Sequence, residues 1–136
     1  MSHLDAARFQ MAYSLAFHMI FAALGVGMPL LLATAEFLHL RTGEGEYLRL
    51  ARTWARATAV LFAIGAVSGT GIAFELGLLW PEFMHFAGAT IGPAFALEGY
   101  AFFTEAILLG LYLYGRNRMH PVAHWLTSVA VAVSGA

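Results

Sequence analysis

Long apolar runs separated by short polar connections organise this chain, and each run predicts a helix that crosses a membrane. The first, at about 6–40, has only His18 and Glu36 as ionisable residues between Phe9 and Leu38. It exceeds the roughly 20 residues that a bilayer requires, so it is expected to tilt or protrude. Gly25, Gly27 and Pro29 fall in mid-span, where close helix contact and a kink are expected. A second span covers about 49–74, and its later half carries Gly65, Ser68, Gly69 and Gly71, small residues that admit a neighbouring helix or a flat prosthetic group. The third covers about 93–115. A fourth opens at Pro121, where proline suits a first helical turn, and covers 121–136.

Between the second and third runs, FELGLLWPEFMHFAGATIGP is aromatic and apolar but broken by Gly and Pro. It predicts an interfacial segment at the membrane surface, with Trp80 as a belt residue. The start of the chain lacks the basic region and cleavage site of a signal peptide, so the first helix is expected to be retained. The fourth run breaks off early. The expected fold class is therefore an all-α integral membrane protein with about four transmembrane helices, one transmembrane domain over 1–136 that forms the front part of a larger helical bundle.

Composition agrees with that class. The 136 residues are 60% hydrophobic and 11% charged, against about a quarter charged in soluble domains. The net charge of -1 points to no nucleic-acid partner, and zero cysteines exclude disulfides, thiolate metal sites and a cysteine nucleophile. The partner implied by the apolar runs is the lipid bilayer.

Arginine placement predicts orientation. Arg41, Arg49, Arg52 and Arg56 flank the first connection, and Arg116 and Arg118 lie in the third, whereas the second holds Glu75 and Glu82 and no arginine. By the positive-inside rule the arginine-bearing connections face the cytoplasm and the N-terminus faces outward. Arg49, Arg52 and Arg56 recur at helical spacing, as a basic face that snorkels or simply sets topology.

Candidate chemistry lies in the third run, which carries Glu98 and Glu105. Each carboxyl costs several kcal/mol in hydrocarbon unless protonated, paired or wetted. Seven residues bring them to nearly the same helix face, about 10 Å apart along the axis. Counting from the outer side, His18 is expected at a depth between them. Such residues serve as structural hydrogen-bonding groups, as a proton path, or, for the imidazole, as a metal ligand. A proton-coupled transporter or channel component without cofactor, and a purely structural helical subunit, fit the residues as well.

The runs RFQMAYSLAFHMIF, SGTGIAFELGLLWPEF and FALEGYAFFTEAILLGLYLYG resemble the amino-terminal part of subunit I of cytochrome bd quinol oxidase, most closely its cyanide-insensitive type. The resemblance implies a respiratory enzyme of the bacterial inner membrane that oxidises quinol and reduces oxygen to water, with haem d and haem b as cofactors and a second membrane subunit as partner. It implies that His18 is the axial ligand of a high-spin haem iron, most closely that of haem d. Glu98 is implied as the acid at the haem pair, Glu105 as its partner in the proton path, and Arg8 as a propionate contact. The ligands of the low-spin haem and the quinol-binding loop are implied to lie beyond Ala136, so that these residues alone are expected to be inactive. Glu75 is outside this expected site.

Overall fold

The computed structural model describes residues 2–136, and those residues form four helices and no strand. Helix α1, His3–Thr42, begins in a capping box in which Ser2 and Asp5 satisfy each other's backbone groups. It ends at Gly43, whose φ of 74° is the left-handed conformation that closes a helix without a Cβ penalty. Pro29 lies inside α1, where it removes one backbone donor. Helix α2 runs Gly45–Leu79, α3 runs Pro81–Gly115, and α4 runs Pro121–Ser134 with His120 as its N-cap. Three of the four, α1 to α3, are long and apolar enough to cross a membrane, and α4 is shorter. The chain is a membrane protein.

Between the second and third spans the chain is helical except at Trp80, where the sequence reading expected Gly and Pro to break it repeatedly. Trp80, at φ -128° and ψ 46°, is the one residue that separates α2 from α3. Pro81 occupies the first turn of α3, where a missing N–H costs nothing, and α3 continues through Gly88, Gly92 and Pro93. In apolar surroundings the backbone must satisfy itself, which favours helix across glycines that would end one in water.

Consecutive helices are antiparallel neighbours: α1 packs along α2, and α4 fits against both α1 and α3. The buried core lies at one end, near the arginine-bearing connections, where Leu32, Ala35, Ala51, Ala55 and Tyr112 meet. Ala51 and Ala55 are buried on the side of α2 opposite the exposed Arg49, Arg52 and Arg56. Small side chains there let α1 and α2 approach closely. Trp125 of α4 donates to the backbone oxygen of Ala33 at 3.1 Å and packs on Phe37, which fixes α4 against α1. Towards the opposite end the apolar surface is open. Phe9, Met19, Val67, Phe74 and Phe86 are all exposed, as suits side chains that face lipid or further helices.

Candidate haem and proton site

His18 is half-buried on α1, facing α2. Its Nδ1 lies 2.9 Å from the Ser68 hydroxyl, and that hydroxyl donates in turn to the backbone oxygen of Ile64 at 2.8 Å. The ring rests on Gly69: a Cβ added there would come within 3.0 Å of His18 Cε1. A side chain at that point would press on the imidazole, which glycine avoids. Nε2 of His18 has no hydrogen-bond partner among the described residues.

One and two turns along the same face of α1, Ser14 and Gln10 hold the carboxylate of Glu75 on α2. Ser14 donates to Glu75 Oε1 at 2.6 Å and Gln10 at 3.3 Å. The second carboxylate oxygen, Oε2, is buried and without a partner among the described residues. Beside it is a cavity of about 140 Å³ lined by Tyr13, Ser14, Phe17, Ser68, Gly71 and Glu75. Sequence reasoning left Glu75 out. Its signal was the seven-residue spacing from Ser68, which faces the Gln10, Ser14 and His18 series at four-residue spacing on the neighbouring helix.

Glu98 and Glu105 share a stripe of α3 with Phe102, which stacks on Phe62 of α2 at 4.7 Å between centroids. Glu98 is exposed and Glu105 half-buried. The Glu105 carboxylate lies against Gly135, where an added Cβ would meet Oε1 at 3.0 Å. The two acids thus share a face but not surroundings. Relative to the Phe62–Phe102 stack, Ser68 lies about 9 Å and Glu98 about 6 Å towards the Trp80 end. His18, bonded to Ser68, is therefore level with Glu98 to within a turn, while Glu105 is on the other side of the stack. The structure does not bring His18 into contact with either glutamate. Arg8 is exposed, about 15 Å along α1 from His18.

A fourth acid, Glu36, was visible in the sequence only as an ionisable residue in an apolar run. It is 5% exposed and bonded to Tyr112, Arg116 and His124 at the arginine-bearing end.

The sequence profile described as cytochrome bd terminal oxidase subunit I matches residues 6–136. The chain belongs to that family. A putative cytochrome bd menaquinol oxidase subunit I from Bacillus subtilis (strain 168) is 37% identical over 136 residues, which is 100% of this chain and 31% of the relative. A cytochrome bd-II ubiquinol oxidase subunit 1 from Escherichia coli (strain K12) is 31% identical, over 95% of this chain and 25% of the relative. Among solved structures, bd oxidase from Geobacillus thermodenitrificans superposes with a TM-score of 0.90 at 40% identity, covering 95% of this chain and 30% of that one. The chain thus spans about a third or less of the length of these relatives.

Cytochrome bd oxidases carry haems, and the surroundings of His18 suit one. An axial imidazole needs one ring nitrogen fixed by a hydrogen bond and the other free for iron, which is the pattern of Nδ1 on Ser68 and Nε2 without a partner. A haem takes its equatorial donors from the macrocycle. A single protein nitrogen therefore suffices, although no three His, Cys, Asp or Glu side chains among the described residues converge as a metal cage.

Proposed function

We propose that this chain, within a complete subunit and its complex, serves a quinol oxidase that passes electrons from quinol through haems to oxygen and forms water. The observation that carries this reading is His18, anchored through Nδ1 to Ser68 and seated on Gly69 with Nε2 free. In the proposed assignment His18 is the axial ligand of a high-spin haem, of the d type, with haem b groups held by residues outside this chain. When bound, the haem supplies an iron centre at which electrons reach oxygen.

The residues of the chain do the rest. Ser68 engages Nδ1 and so leaves Nε2 as the nitrogen that would bind the haem iron. Gly69 leaves room for the ring, and Arg8, exposed along the same helix, offers a guanidinium to a propionate. Reduction of oxygen to water consumes a proton for every electron, and these protons must cross hydrocarbon. Glu98, level with His18, is proposed as the acid that delivers them at the haem, and Glu105, past the aromatic stack, as the acid that supplies Glu98. The quinol site and a second membrane subunit are proposed partners in the bacterial cytoplasmic membrane, with the N-terminus on the outer side, as the arginine asymmetry supports.

His18→Ala in the complete protein tests the assignment. Loss of one high-spin haem signal with the low-spin signal retained is expected, because removing an axial ligand opens only its own site. Unchanged haem content and spectrum would refute it.

A further inference from the structure

Glu36 and His124 lie at the arginine-bearing end, about 27 Å along α1 from His18. The hydrogen bonds around them fix a proton count. His124 Nε2 is 2.8 Å from the backbone oxygen of Tyr112; a carbonyl only accepts, so Nε2 carries hydrogen. The other nitrogen of the ring, Nδ1, faces the Glu36 carboxyl at 3.1 Å from Oε1 and 3.3 Å from Oε2. Oε1 already accepts from the Tyr112 hydroxyl at 2.8 Å and from Arg116 at 3.1 Å. The Tyr112 hydroxyl accepts from Arg116 at 2.7 Å, so its own hydrogen is committed to Glu36.

An imidazole lone pair and a carboxylate do not face each other at hydrogen-bond distance without a hydrogen between them. The pair therefore holds one proton that no neighbour supplies, as imidazolium with carboxylate or as neutral imidazole with carboxylic acid. Both residues are 5% exposed, yet a cavity of about 220 Å³ opens beside them. Glu36, His39, Arg52, Arg116, Asn117 and His124 are among its lining residues. At roughly 30 Å³ per molecule, and with several polar groups to bond, the cavity has room for several waters. The charged and titratable groups facing the pair are His39 on α1, Arg52 on α2, and Tyr112 and Arg116 on the α3 side. Loss of the proton leaves the Glu36 carboxylate paired with the Arg116 guanidinium, so it is no lone buried anion, and water from the cavity must then donate between it and Nδ1.

We infer that Glu36 and His124 form a proton-exchange site, which takes a proton from water at the arginine-bearing face and passes it to the α3–α4 seam. One turn beyond His124 on α4 is the fully buried Ser128, and at the end of that helix Gly135 meets Glu105 of α3. The exchange itself follows from the local geometry. The onward step rests on the reading of Glu105 as a proton carrier.

The test uses the complete protein and Glu36→Gln, whose amide oxygen still accepts from Tyr112 and Arg116 and whose amide N–H can donate to Nδ1. His124→Gln serves as the second variant, and circular dichroism checks the helix content of both. Acid–base titration should show about one exchangeable proton fewer in each variant than in the parent. Proton uptake from the arginine-bearing side during oxygen reduction should fall at least about tenfold with the haem spectrum unchanged. Titration curves that superimpose on the parent's would overturn the exchange site. Uptake at the parental rate would overturn the onward step. A parent protein without haem absorption would instead sink the oxidase reading and leave the titration result standing.

Discussion

The hydroxyl of Tyr112 on α3 donates to the carboxylate of Glu36 on α1 at 2.8 Å, and the phenol is fully buried. This bond ties two helices whose backbones do not pack directly against each other. His124 brings in α4 through the same two residues, so one carboxylate holds three helices at the arginine-bearing end.

Tyr112→Phe should therefore destabilise the protein with little change in shape. It deletes the donor to Glu36 and the acceptor of Arg116, and a buried polar group left without its partner costs about 1–3 kcal/mol. Thermal unfolding of the complete protein in detergent measures this. A Tm equal to the parent's would mean that water replaces the phenol at no cost.

Much of the fold was legible because lipid-facing helices leave a plain trace. A first run with only His18 and Glu36 ionisable, and a third with only two glutamates, could be little else. The boundary at Trp80 was not legible. Glycine and proline punctuate sequences by rules learned in water, and α3 passes through Gly88, Gly92 and Pro93 without ending. The site was legible in its types and not in its pairings. Spacing put Glu98 and Glu105 on one stripe, but that Glu105 meets Gly135, or that Glu36 meets His124, depends on which helices are neighbours, and periodicity within one helix carries no such information.

Gly69→Ala probes the seat of His18. Its new methyl would stand 3.0 Å from Cε1, so the ring must shift by a few tenths of an ångström and Nε2 with it. The high-spin haem band is expected to move while haem content is kept. Gly65→Ala, which meets nothing within 4 Å, is the control and should leave the band in place. Equal spectra for both variants would show that His18 does not set the haem position.

Orientation is open to a direct assay. Reporters fused at Gly43, between α1 and α2, and at Trp80, between α2 and α3, lie at opposite ends of α2. With the arginines inside, the Gly43 fusion should be active in the cytoplasm and the Trp80 fusion outside. The reverse pattern would put Glu36 and His124 on the outer side and remove their role in taking up cytoplasmic protons.

The two glutamates of α3 should separate in their effects because their surroundings differ. Glutamine keeps the size and hydrogen-bonding capacity of glutamate but cannot exchange a proton near neutral pH, so Glu98→Gln and Glu105→Gln distinguish proton transfer from packing. Both complete variants should insert, since an amide costs less than a charge in hydrocarbon. General acid–base participation is worth roughly a hundredfold or more, so both should lose most oxygen-reductase turnover. Glu98 is level with His18 and exposed, hence its variant should also disturb the high-spin haem spectrum. Glu105 lies past the Phe62–Phe102 stack against Gly135, hence its variant should slow turnover and leave the spectrum alone. Near-parental turnover between about pH 6 and 8 in either variant would make that carboxyl a structural hydrogen-bonding group and not a carrier. The same outcome at Glu105 would also leave the Glu36–His124 pair with no acid at the far end of its seam.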